Sequence, residues 1–202
     1  FLINYTPKRK MVGYGVDRID VDLNYPRIFV SYSQGLKGVF DSDFNYSKLQ
    51  LFYRQPLLIG GFGRLFSTLE IGKTFGSVPL SLMGIIPGNQ SYFIIDNTYN
   101  LLNYYDFVAD QYTSLHLEHN FNGKLFSRVP LLRKLNWREI IGMKAVYGSV
   151  SDENIALNAS GQSYQAPVNG YYEYSAGIGN IFKVMRIDGA WRGSYFNVPD
   201  AR

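Results

Sequence analysis

Met185-Arg186-Ile187-Asp188-Gly189-Ala190-Trp191-Arg192 leads into Gly193-Ser194-Tyr195. Met185, Ile187, Trp191 and Tyr195 fall on one parity, and Arg186, Asp188, Arg192 and Ser194 on the other. Successive side chains of a strand point to opposite faces. A strand here therefore carries three charges on one side and four large apolar or aromatic groups on the other. A helix of the same sequence would mix the two sets around its circumference.

The same period of two recurs along the chain. In 18–25, Ile19, Val21, Leu23 and Tyr25 alternate with Arg18, Asp20, Asp22 and Asn24, and Pro26 ends the pattern because it has no N–H to donate. In 27–34, Ile28, Val30 and Tyr32 oppose Ser31 and Ser33. In 45–54, Leu49, Leu51 and Tyr53 oppose Lys48, Gln50 and Arg54, with Phe52 out of pattern. In 63–74, Leu65, Leu69 and Ile71 oppose Arg64, Thr68 and Glu70; in 112–121, Leu115, Leu117 and Phe121 oppose Ser114, His116 and Glu118. In 137–150, Trp137, Ile141, Met143 and Tyr147 oppose Arg138 and Lys144, with Glu139 and Ile140 out of phase. In 172–178, Tyr172, Tyr174, Ala176 and Ile178 oppose Glu173, Ser175 and Gly177.

These readings make about eight strands, most longer than the ~5–6 residues usual in soluble proteins and close to the ~9–11 a membrane-crossing strand needs. Their connections alternate between long and short. The segments 75–110 and 151–170 are long and 180–183 is short, as in outer-membrane barrels. The exception, 122–136, contains Val129, Leu131, Leu132 and Leu135 and is expected to hold a helical turn on the short-connection side. The expected fold is an all-β, antiparallel transmembrane β-barrel. Residues 1–202 are expected to form one barrel region, a C-terminal fragment of a longer outer-membrane protein.

Composition agrees with that class. The 202 residues include 17 Tyr, 14 Phe and 2 Trp, only 18 % are charged, and there is no cysteine. The aromatic and apolar content excludes disorder. The missing cysteine excludes a disulfide scaffold and a thiolate zinc site. No apolar run is long enough for a membrane-crossing helix. Tyr and Trp favour the level of lipid headgroups. Tyr53, Phe121, Trp137, Tyr147, Tyr172, Trp191 and Tyr195, at strand ends, are therefore the candidate interfacial aromatics, against the plainer reading that aromatics simply favour strands.

A resemblance adds to this. Ile86-Pro87-Gly88-Asn89-Gln90-Ser91-Tyr92-Phe93, Phe107-Val108-Ala109-Asp110-Gln111-Tyr112, Leu117-Glu118-His119-Asn120-Phe121-Asn122-Gly123, Val129-Pro130-Leu131-Leu132-Arg133-Lys134-Leu135, Trp137-Arg138-Glu139 and Tyr147-Gly148-Ser149 follow one another in order. Together they resemble the C-terminal barrel portion of a Bacteroidota outer-membrane family whose members carry an N-terminal carboxypeptidase-regulatory-like domain before a barrel of unknown function. The similarity extends from about Tyr25 onward. It implies an outer-membrane location and no established activity. Outer-membrane proteins usually end in a strand with a terminal aromatic, and this chain stops at Pro199-Asp200-Ala201-Arg202, so the closing strand is expected to be missing.

Candidate chemistry is sparse. In His116-Leu117-Glu118-His119 a strand puts His116 and Glu118 on one face and His119 on the other, and no further ligand is nominated for a metal. Gly72-Lys73-Thr74 resembles the end of a phosphate-binding loop, but Ser67 stands where the first glycine belongs and the segment reads as strand. Nothing nominates a cofactor, a metal or a catalytic set.

The charges on the polar parity are more informative. Arg64, Glu70, Glu118, Lys144, Arg186, Asp188 and Arg192 would converge in one lumen, as an ion-pair network or as a polar conduit. Net charge is +4, with basic clusters at Lys8, Arg9, Lys10 and from Lys124 through Arg128, Arg133 and Lys134 to Arg138. Each is either a solvated turn or a contact for phosphate groups of lipid or of a partner. The expected function is an integral outer-membrane barrel with a structural, transport or envelope-biogenesis role and no catalysis. The expected partners are outer-membrane lipid and periplasmic or outer-membrane proteins, with no nucleic acid. The alternative is a soluble all-β module that binds glycan or lipid on an aromatic face.

Overall fold

The computed structural model describes residues 1–39, 42–158 and 164–196. Among these, twelve strands and two short helices follow one another. They are β1 (Leu2–Tyr5), β2 (Met11–Val12), β3 (Ile19–Asp20), β4 (Arg27–Gly35), β5 (Tyr46–Leu58), β6 (Arg64–Phe75), β7 (Gly84–Ile85), β8 (Val108–Ala109), β9 (Gln111–Asn120), α1 (Pro130–Leu135), β10 (Arg138–Ser149), α2 (Asp152–Leu157), β11 (Tyr171–Ile181) and β12 (Met185–Arg192).

Eight of the strands form one sheet in the order β1-β4-β5-β6-β9-β10-β11-β12, with every neighbouring pair antiparallel. Apart from β1 and β12 its members are long: β5 has 13 residues, β6 and β10 have 12, and β11 has 11. The fold is all-β, built on a large antiparallel sheet. It does not close among the described residues, because β1 pairs only with β4 and β12 only with β11, leaving two free edges.

Register sorts the side chains. Opposed residues of an antiparallel pair share a face, so each cross-strand row can be followed through the sheet. One row runs Ser31–Gln50–Gly72–Tyr112–Gly148 and the next parallel one Phe29–Phe52–Glu70–Ser114–Val146–Tyr171. On the other face, Val30–Leu51–Ile71–Thr113–Tyr147 is one row, and Ile141 and Met143 stand opposite His119 and Leu117. One face is therefore mostly polar and the other mostly apolar. Phe52, out of pattern in sequence, lies on the polar face with its ring edge-on to Phe29 at 5.8 Å.

The core lies on the polar face. Residues 76–110 leave the end of β6 and fold back over it. Ile86, Tyr99, Leu102 and Phe107 from this segment pack against Tyr112, Val146 and Tyr171 of the sheet, and Val78, Met83 and Val108 form a second cluster. Each such side chain contributes roughly 1.5–3 kcal/mol by leaving water. The apolar face has no covering layer among the described residues. Leu49, Ile71, Leu115, Ile141, Met143, Tyr174, Ile187 and Trp191 on it are all exposed.

One sequence expectation needs correction. The segment 18–25, with the most regular alternation near the start, contributes only β3, which pairs with β2 in a two-residue ladder outside the main sheet. Val21 and Leu23 stay exposed, and Tyr25 is buried between Arg9 and Arg27. Alternation shows that a segment can present an apolar face, but a strand also needs a partner ladder, and β4 already pairs with β5 and β1. The outer strand beside β4 is β1, which the alternation did not reveal. The helical turn expected in 122–136 is present as α1, with Pro130 in its first turn and Asn136 ending it in the left-handed region at φ 53°. The expectation of a missing closing strand after Arg192 falls on residues 197–202, outside the described residues.

The connections sort by end. At one end lie the connections β1–β4 (6–26), β5–β6 (59–63), β9–β10 (121–137) and β11–β12 (182–184); at the other lie β4–β5, β6–β9 and β10–β11, so the first end holds the two shortest connections but also the long 6–26. Gly63 makes the turn at 59–63 possible: its φ is 97°, and a side chain there would meet the Asn120 carbonyl.

Candidate functional site

The polar face brings its charges together beneath the folded-back segment. Glu173, 1 % exposed, is the anchor. Its carboxylate accepts hydrogen bonds from the backbone N–H groups of Asn100 (2.7 Å) and Leu101 (3.1 Å) and from the Tyr171 hydroxyl (2.9 Å). Lys144 lies 3.6 Å from it and donates to the Thr98 carbonyl at 2.7 Å and to Asn100 Oδ1 at 2.8 Å. Arg192 donates to the Leu101 carbonyl and lies over the Tyr171 ring. Three neighbouring strands, β10, β11 and β12, thus grip the backbone of 98–101 from both polarities.

Tyr99 fills the space between. Its hydroxyl bonds Ser114 Oγ at 2.7 Å and the Ala145 carbonyl at 2.8 Å, and its ring meets His116 and Tyr171 edge-on. Burial pushes its phenol well above the usual value, so it stays neutral.

A second anchor ties down the start of the segment. Asp110 accepts from the Ser151 N–H (2.8 Å) and from Asn154 Nδ2 (2.9 Å). Asn154 Oδ1 accepts the Val78 N–H at 2.8 Å, and Asn158 Oδ1 accepts the Leu80 N–H at 2.8 Å. Helix α2 is thereby bolted to residues 78–80 by side-chain amides that mimic backbone partners.

A third group is the ion triad of Arg186 with Glu118 (2.7 Å) and Asp188. Gly177 opposite leaves room for Asp188, whose Oδ1 lies where a Cβ would stand. This triad lines a cavity of about 260 Å³ together with Arg54, His116 and Lys144 from the sheet and Asp96, Asn97 and Asn100 from the covering segment.

Of the residues singled out in the sequence, Glu118, Lys144, Arg186, Asp188 and Arg192 meet in these networks. Glu70 is nearby, accepting the Tyr112 hydroxyl at 2.5 Å. Arg64 is on the same face but apart, at the end with the short connections, over Phe66. Tyr53, Tyr147, Tyr172 and Trp191 lie on the apolar face, where Trp191 stacks on Tyr174 at 6.1 Å. Phe121 and Trp137 lie at its short-connection edge. Tyr195 does not join them: its ring packs on Phe107 at 5.1 Å and its hydroxyl accepts the Asn169 N–H, because the chain turns inward after Arg192.

Glu173, Tyr99, Asp110 and Asn154 were not singled out as site residues. Glu173 shares the parity signal of Lys144 and was recoverable from it. The other three carry no local pattern. Ser114, His116 and Glu70 share a void of only about 10 Å³, and the Ser114 hydroxyl is engaged by Tyr99. Among the described residues no set of three or more His, Asp or Glu could hold a metal ion. The arrangement locks a long segment against a charged wall and leaves a small polar cavity beside it.

Residues 1–155 match the family model described as the C-terminal domain of a family of unknown function, DUF5686. No curated protein and no solved structure matches the chain.

Proposed function

From the premise that the chain belongs to the DUF5686 C-terminal-domain family, whose function is unknown, we propose that it forms part of the wall of a bacterial outer-membrane β-barrel. Its role is structural, in transport or in envelope biogenesis, without catalysis. One observation carries this reading: a long-stranded antiparallel meander has a bare apolar face and keeps its polar face for its own folded-back segment. A soluble sandwich would cover the apolar face with a second sheet. In lipid that face is already in its preferred solvent. A lipid-exposed sheet tolerates no free edge, so the reading requires further strands between β12 and β1 to complete a larger barrel. The end with the two shortest connections, 59–63 and 182–184, would face the periplasm, with 6–26 as a long exception there, and the segment 76–110 would plug the lumen.

The test is membrane extraction and gel mobility. The intact protein should stay with outer membranes through an alkaline wash, and should migrate faster unboiled than boiled. Recovery in the soluble periplasmic fraction without detergent overturns the proposal.

The exposed Tyr174–Trp191 stack favours one second reading, a soluble module that binds glycan on an aromatic face. It predicts a detergent-free monomer whose Trp191 fluorescence responds to glycan.

A further inference from the structure

Beneath the covering segment most cations of the polar face meet an acid: Arg186 meets Glu118 and Asp188, Lys144 meets Glu173 and Arg54 meets Asp96, while Arg192 is held by the Leu101 carbonyl instead. At the short-connection end they do not. A cavity of about 570 Å³ is lined by Arg64, Lys124 and Arg138, and by no acid among the described residues. An adjoining cavity of about 850 Å³ shares Arg138 and adds Arg133, Lys134 and Lys183, again without an acid. None of these six cations forms an ion pair among the described residues. The acid nearest in sequence, Glu139, is buried and lines neither cavity; one of its oxygens accepts the Phe126 N–H and the other has no hydrogen-bond partner among the described residues.

Like charges gathered without counter-charge repel one another, and an anion between them removes that cost. Guanidinium groups match phosphate oxygens with paired donors, and lysines add point charge. The second cavity is also apolar on one side, through Leu132, Leu135, Trp137 and Phe182. Trp137 has the parity of Ile141 and Met143, so this side runs on into the bare apolar face.

We propose that this rim binds the phosphate of an anionic phospholipid headgroup, with the acyl chains passing Trp137 onto the apolar face. The phosphate clamp stands on the cations and cavities alone; only the path of the acyl chains rests on the membrane reading.

The intact protein in non-ionic detergent, carrying Trp191→Phe so that Trp137 reports alone, is titrated with three probes. They are short-chain phosphatidylglycerol, short-chain phosphatidylcholine and inorganic phosphate. Phosphatidylglycerol should shift Trp137 emission saturably, bind at least about tenfold more tightly than phosphatidylcholine, and weaken as salt rises. Lys124→Gln with Arg138→Gln should weaken it about tenfold or more, the scale of one or two lost charge-assisted hydrogen bonds. Lys37→Gln at the opposite end should change nothing. If the double variant fails to fold, Arg133→Gln with Lys134→Gln on the exposed turn of α1 carries the same test. Unchanged affinity in a folded rim variant overturns the site. Inorganic phosphate binding as tightly as the lipid overturns the lipid assignment. A protein that proves soluble without detergent yet binds phosphatidylglycerol overturns the barrel reading and leaves this one standing.

Discussion

Glu173 satisfies two backbone N–H groups, a tyrosine hydroxyl and a lysine at once. Glu173→Ala strands all four groups and should cost about 3–5 kcal/mol, the scale for removing one partner of a buried ion pair. Glu173→Gln keeps the shape and part of the hydrogen bonding and should cost less. The midpoint of urea unfolding measures both. Asp20 behaves differently because it lies at the surface. Its carboxyl is held below the usual value by the hydrogen bond from Arg9 (2.6 Å) and then by that from Tyr25 (3.0 Å). A lowered carboxyl contributes in full above the ordinary carboxylate range and loses its contribution as pH falls through the lowered value. Amide exchange in 9–25 should therefore be slow at pH 5 and faster below the lowered value, and Asp20→Asn should remove that dependence. The charges at alternate positions in 185–192 were legible because parity alone assigns them a face. Asn154 and Tyr99 were not, because what makes them important is a partner 76 residues away for one and 46 for the other.

At the scale of elements, every long strand of the main sheet from β4 onward was visible as a period of two. The boundaries in the sheet run past the alternation in β5, where Pro56 sits opposite Phe66 without a donor of its own. The segment 18–25 failed for the converse reason: its alternation is regular, but β4, which follows it, is already paired on both sides by β1 and β5, and only residues 19–20 find a partner, in β2. The covering segment is an element of a different kind, with little regular structure, held by α2 and by the row of Glu173. Asn154→Ala removes the partner of the buried Val78 N–H, a loss of about 1–3 kcal/mol for an unsatisfied buried donor. Hydrogen exchange should rise in 76–83 and 151–158 and stay unchanged in β5 and β6. Equal rates across all of these would show that the segment is not a separate layer tied down by α2.

At the scale of the whole molecule, the membrane proposal requires the two faces of one sheet to meet two different solvents. Neighbouring residues of β4 test this directly, since Val30 is on the apolar face and Ser31 on the polar one. In protein folded into lipid vesicles, Val30→Arg should cost about 2–4 kcal/mol, as expected for a cation on the lipid side near the midplane. Ser31→Arg should cost under about 1 kcal/mol. Equal costs in a urea titration would place both faces in the same surroundings. The charge pattern along the axis belongs to this scale too. The covering segment 76–110 and the connection 150–158 carry Asp96, Asp106, Asp110, Asp152 and Glu153 and no Lys or Arg. The opposite end carries the six cations that form no ion pair among the described residues, although its connection 6–26 also holds Asp17, Asp20 and Asp22.

The sequence by itself determined the strand class, the two faces and the side on which each charge stands. These follow from a local geometry in which parity decides direction. Only the tertiary structure decided which strands are neighbours, that β1 and not 18–25 borders β4, and that the sheet stays open among the described residues. It alone brought Arg64 to Lys124 and Arg138 and seated residues 98–101 on Glu173. Pairing and convergence depend on contacts between residues far apart in the chain, and no local pattern records them.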